Sequence, residues 1–133
     1  AELIPRLIDE VPALTVAALL AEGDTAIRGA GELRVKEVDR IAAVAEEFGR
    51  LGAAVSATED GLRIRGGARL RGAAVSSRGD HRMAMSLAVA ALFADGETVV
   101  RDVACADTSF PGFAGLLART APECGLREEA DRG

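Results

Sequence analysis

The chain repeats itself. The segment VAALLAEGDTAIRGA, Val16 to Ala30, returns without a gap as VAALFADGETVVRDV, Val89 to Val103, at an offset of 73 residues and with eight identities in fifteen positions. Alanine richness accounts for some of these matches, but not for the aligned Gly23 and Gly96, Thr25 and Thr98, and Arg28 and Arg101. An internal repeat constrains the fold more than any isolated motif, because both copies are expected to form the same supersecondary unit.

Each copy reads as a helix that is apolar on nearly every side, a Gly where helices commonly end, and a short β-branched strand, TAIRG or TVVRD. A helix apolar all round is expected to be buried. After the first copy, Ile41, Val44, Phe48 and Leu51 recur at steps of three and four, which predicts an amphipathic helix over Lys36 to Leu51 with Gly52 as its stop. After the second, PGFAGLLARTAPECG takes that place, with Pro111 suited to a first helical turn and Gly125 lying 73 residues beyond Gly52. Between the copies, Asp60-Gly61 joins AAVSATE to LRIRG as a hairpin, and ARLRGAAVSS reads as one further strand. The polar end LREEADRG is expected to fray. The predicted fold class is α+β: two βαβαββ-type units, about 1–66 and 67–128 with a tail at 129–133, the first lacking its opening strand. Two buried and two amphipathic helices are expected against the sheets.

Composition excludes some functions. The chain has 133 residues, enough to bury a core, and no apolar run long enough for a membrane span. A net charge of −5, no Trp or Tyr and only four Phe argue against a nucleic-acid binder, which needs a basic face and stacking aromatics. Cys105 and Cys124 have neither metal-ligand spacing nor the density of a disulfide scaffold, so a reducing cytoplasm is expected. No secretory signal is visible, and the start AELIPRLIDE fits a fragment as well as it fits removal of an initiating Met.

The charged residues gather where helices are expected to begin. Asp9 and Glu10 precede the first apolar helix, Asp80, His81 and Arg82 the second, and Lys36, Glu37 and Arg40 open the amphipathic one. Lys36 is the only lysine and His81 the only histidine. Helix N-termini expose unpaired amides and the positive end of the dipole, so they attract anions, whereas cations placed there are unfavourable until an anion arrives. Taken singly, each cluster also fits a plain reading: a solvated helix start for Lys36 to Arg40, and caps for Asp80 and Asp9. Cys105 fits a buried side chain better than a reactive one, and the Arg78-Gly79-Asp80 tripeptide fits chance better than an adhesion motif.

Four strings, DE.P at Asp9 to Pro12, LRVKEVDRI, GDHRMAMSLAVAAL and TSFPGF, occur in an order that resembles the C-terminal portion of the 5-enolpyruvylshikimate-3-phosphate synthase family. The resemblance covers nearly the whole chain. It implies transfer of the enolpyruvyl group of phosphoenolpyruvate to the 5-hydroxyl of shikimate 3-phosphate, with release of phosphate, in aromatic amino-acid biosynthesis. It implies a two-domain, inside-out α/β barrel of six βαβαββ units with its site in the cleft. By the same resemblance Asp9 is the proton acceptor at the 5-hydroxyl and Glu37 the acid that exchanges protons with the phosphoenolpyruvate methylene. Lys36 touches shikimate 3-phosphate, Arg40 and Arg82 hold phosphoenolpyruvate, and His81 neighbours that pocket. Neither cofactor nor metal is expected, and the partners are the two substrates and a missing N-terminal domain. Val38 stands where the family usually has Ser or Thr, and Thr108 stands where some members carry Lys. The alternatives are a relative acting on UDP-N-acetylglucosamine and a non-catalytic ligand-binding or folding module; the isolated chain is expected to be inactive.

Overall fold

A computed structural model of the protein describes residues 10–36, 38–67, 69–106, 111–121 and 125–126. In chain order it contains α1 (Val11–Leu20), β1 (Asp24–Ile27), α2 (Arg40–Arg50), β2 (Ala54–Ala57), β3 (Leu62–Arg65), β4 (Ala74–Ser76), α3 (His81–Ala91), β5 (Val99–Arg101) and α4 (Phe113–Thr120), with short 3-10 turns at Gly31–Val35 and Val103–Cys105. The architecture is α+β. β3 lies between β1 and β2 and runs antiparallel to both, while β4 and β5 form a separate parallel pair joined by α3.

The repeat is written in the backbone. Left-handed residues recur as Gly23 and Gly96, Gly29 and Asp102, and Gly52 and Gly125, each pair 73 residues apart. The same offset relates the first residues of α2 and α4, Arg40 and Phe113. At Asp102 a non-glycine residue accepts a φ of 59°, a conformation that Asp tolerates better than most side chains.

The hairpin forms where Asp60-Gly61 predicts it: Ala57 faces Leu62, and the Thr58 amide donates to the Gly61 carbonyl at 2.9 Å. Asp60 also fastens the turn to the end of β1, its carboxylate accepting from Gly29 and its carbonyl from Ala30. Gly61 is required by packing, because a Cβ there would lie 1.7 Å from the Ile27 carbonyl oxygen. Gly61→Ala should cost about 3 kcal/mol through backbone displacement, measured by urea unfolding; a midpoint equal to that of the parent chain rejects this packing.

Three expectations are corrected. The amphipathic helix begins at Arg40 rather than Lys36, because Asp39 is its N-cap and accepts from the Ala42 amide at 3.1 Å. Ile41, Val44, Phe48 and Leu51 are all fully buried, as their spacing requires. The segment ARLRGAAVSS is not one strand: its regular part is β4, and near Gly72 the chain passes so close to the Glu97 backbone that no Cβ fits. The apolar helices are not buried all round. α1 packs through Val11, Thr15, Val16, Ala18 and Leu19, leaving Leu14 and Leu20 exposed, and α3 packs through Met83, Ala84, Leu87 and Ala90. On α1 one face suffices for the core, whereas every residue of α3 is buried or half-buried, with Val89 packed partly against the core. Among the described residues no helix is long and apolar enough to cross a membrane.

Candidate active-site half

The N-termini of α1, α2 and α3 share one linked set of charges, with Asp80 at its centre. Asp80 has no side-chain exposure, and the Arg40 side chain is 1% exposed. Arg40 Nε donates to Asp80 Oδ2 at 2.6 Å, and Arg40 Nη2 donates to Oδ1 at 3.1 Å. The same Oδ1 accepts from the Arg82 backbone amide at 2.9 Å, so Asp80 caps α3 while gripping the first residue of α2. On the other flank, Arg82 Nη1 donates at 2.6 Å to Oε1 of Glu10, the residue preceding α1.

A second support holds the start of α2. Arg34 Nη1 donates to Asp39 Oδ2 at 2.8 Å, and its remaining donors reach the Thr58 and Glu59 carbonyls in the hairpin turn. The 3-10 turn, the hairpin and the α2 cap are therefore one assembly. Lys36 ends that turn with extended backbone and is half-buried; it is not in a helical first turn. Val38 packs partly against the core. His81 is the half-buried first residue of α3. Asp9, Glu37 and Thr108 lie outside the described residues.

The structure thus brings Arg40, His81 and Arg82 together through Asp80, and it corrects the electrostatic expectation. The cations at these helix starts do not wait for an external anion, since Arg40 is met by Asp80 and Arg82 by Glu10. Burying a guanidinium without a carboxylate is costly, which explains the first pairing. The second differs: Arg82 and Glu10 are 34% and 52% exposed, and exposed pairs are worth only about 0–1 kcal/mol. An arriving anion can replace Glu10 at little cost, whereas displacing Asp80 would break two hydrogen bonds of a buried ion pair. Arg82 is the exchangeable cation and Arg40 the fixed one. The pairing of Arg40 with Asp80, forty residues apart, left no trace in local spacing; only the cap role of Asp80 was visible.

Among the described residues no group of three His, Cys, Asp or Glu side chains is placed to hold a metal. The sequence profile of EPSP synthase (3-phosphoshikimate 1-carboxyvinyltransferase) matches residues 1–117. The 3-phosphoshikimate 1-carboxyvinyltransferase of Pelotomaculum thermopropionicum is 59% identical over 118 residues, covering 89% of this chain and 27% of the relative. That of a Roseiflexus species is 59% identical over 119 residues, covering 90% and 28%. An EPSP synthase structure from Acinetobacter baumannii superposes with a TM-score of 0.84 at 39% identity, covering 94% of this chain and 29% of that one. The chain therefore spans little more than a quarter of the length of these relatives, and it belongs to the EPSP synthase family.

Proposed function

We propose that this chain forms one wall of an enolpyruvyl-transfer site, in an enzyme that joins phosphoenolpyruvate to the 5-hydroxyl of shikimate 3-phosphate and releases phosphate. The observation that carries the reading is the linkage of three helix N-termini, those of α2 and α3 through buried Asp80 and that of α1 through Glu10 and Arg82, with Arg40 fixed and Arg82 exchangeable. Helix starts and paired guanidinium groups suit a phosphate and a carboxylate, because amide dipoles and planar forks match their oxygens.

The addition step needs a base for the hydroxyl, an acid for the methylene carbon and cations for the substrates' charges. Asp9 takes the hydroxyl proton as the oxygen attacks C2 of phosphoenolpyruvate, and Glu37 delivers a proton to C3. Return of a C3 proton to Glu37 and departure of phosphate from C2 then restore the C2–C3 double bond, now as the enol ether of the product. Lys36 holds shikimate 3-phosphate and Arg82 binds phosphoenolpyruvate through its exposed fork, while Arg40, the other phosphoenolpyruvate cation, stays paired with buried Asp80 and acts from behind the pocket wall, which His81 flanks. We also read the chain as two βαβαββ-type units, about 1–66 and 67–128, of an inside-out barrel whose other domain completes the cleft; the 73-residue recurrence of left-handed positions supports this reading.

The test is to graft the chain in place of the matching segment of the Pelotomaculum relative. The chimera should release phosphate only when both substrates are present, and the isolated chain should turn over negligibly, since an open half-cleft cannot exclude water. In the chimera, Arg82→Ala should weaken phosphoenolpyruvate binding by about 1.5–3 kcal/mol with little change in Tm, because its native pair is exposed. A folded but inactive chimera, or an Arg82→Ala variant that loses stability and keeps activity, overturns the reading.

A further inference from the structure

The segment between β4 and α3 carries an unexplained strain. Ser77 to Asp80 form a tight turn, closed by the Asp80 amide donating to the Ser77 carbonyl at 3.0 Å. Both central residues are left-handed, Arg78 with φ 57° and Gly79 with φ 80°. Turns of this kind ordinarily place Asn, Asp or Gly at the first of these positions, where an arginine is disfavoured.

The side chain supplies a reason. Arg78 Nε and Nη2 donate to Glu47 Oε2 at 3.3 and 2.9 Å, and Nη2 also meets Glu46 Oε2. Glu47 is only 3% exposed, and its other oxygen accepts the Ser76 amide at 2.8 Å, closing that edge of β4. Ser77 Oγ accepts from the Gly79 amide and donates to the Asp102 carbonyl, so the turn is held from below as well. Consequently α2 is tied twice to one short segment: Arg40 at its start grips Asp80, and Glu46 and Glu47 near its end grip Arg78. Arg78 is 31% exposed and lines a recess of 270 Å³, so the strength of this grip comes from its fork and two acids rather than from burial.

We propose that Arg78 is a positioning residue for the anion site, an ionic strut between α2 and the β4–α3 turn that fixes Asp80 and, through it, Arg40 and the start of α3. This rests on the site reading under Proposed function. It requires no contact between Arg78 and substrate.

The experiment is NMR on the full 133-residue chain. Arg78→Asn keeps a residue that tolerates left-handed backbone and removes the strut, so a turn defect is separated from loss of the ion pair. Two signals are followed: solvent exchange of the Arg40 Nε–H, and inorganic phosphate titration at the His81 and Arg82 amides. Arg78→Asn should speed Arg40 Nε–H exchange by about tenfold and weaken phosphate by about fivefold, the scale of coupling between networked residues. Arg78→Lys should restore part of both effects, and Glu47→Gln should add little on top of Arg78→Asn. Unchanged Arg40 exchange in Arg78→Asn overturns the proposal. Absence of phosphate binding by the parent chain would count against the site reading instead, and the Arg40 signal would still decide the strut. Should Arg78→Asn fail to fold, Glu47→Gln alone, whose amide oxygen can still accept from Ser76, gives the same Arg40 readout: faster exchange supports the strut, and unchanged exchange overturns it.

Discussion

Asp80→Ala is expected to lose about 3–5 kcal/mol of folding stability, because it removes one partner of a buried, doubly hydrogen-bonded ion pair. The loss of the α3 cap adds to this, by about 1 kcal/mol. Domains of this size are stable by roughly 5–15 kcal/mol, so the variant should sit near its unfolding midpoint under mild conditions. Two companions separate the contributions. Asp80→Asn keeps one oxygen that can still accept from Arg40 Nη2 and the Arg82 amide, but it removes the charge and turns an NH2 toward Arg40 Nε, so it should fall between parent and Ala. Arg40→Met combined with Asp80→Leu removes both charges and should recover much of the loss, since a buried pair replaced by apolar groups is often neutral or better. The measurement is urea unfolding of all four chains. A loss below about 1 kcal/mol in Asp80→Ala would mean that the pair is solvated, since exposed pairs are worth no more than that.

In the chimera, Glu37→Gln should cut turnover by about 10²–10⁴-fold while leaving shikimate 3-phosphate affinity nearly unchanged, because the amide keeps the shape and cannot deliver the proton to carbon. Lys36→Met should instead weaken shikimate 3-phosphate by about 1.5–3 kcal/mol and lower the rate with it, the scale of charge-assisted hydrogen bonds. The two neighbours are separable because Lys36 ends a 3-10 turn in extended backbone, outside the helix that apolar spacing alone assigns to it. Its position is set by the turn and the Arg34 staple rather than by the rotation of α2. Exchange of solvent hydrogen into the phosphoenolpyruvate methylene reports on the acid directly. If exchange continues in Glu37→Gln while both variants lose binding equally, Glu37 is not the acid and the pair is an anion clamp.

Sequence by itself determined the elements that depend on local periodicity and on backbone freedom. The apolar spacing of Ile41, Val44, Phe48 and Leu51 gave a buried helix face, and Asp60-Gly61 gave the hairpin. The 73-residue repeat aligned Gly23 with Gly96 and Gly52 with Gly125, and all four are left-handed, a conformation that glycine adopts without steric cost. The motif strings led to the family to which the chain belongs. Tertiary structure decided what depends on distance through space. Nothing in local spacing pairs Arg40 with Asp80, or Arg78 with Glu47, because these partners are forty and thirty-one residues apart and meet only when α2 packs beside β4. It also decided which helix faces are covered: α1 is apolar all round in sequence, yet only the side turned to α3 and β3 is buried. Most of all, it ranked the arginines. Two guanidinium groups that look alike in sequence differ in role because burial makes the Asp80 pairing of Arg40 costly to break, while solvent makes the Glu10 pairing of Arg82 cheap to exchange.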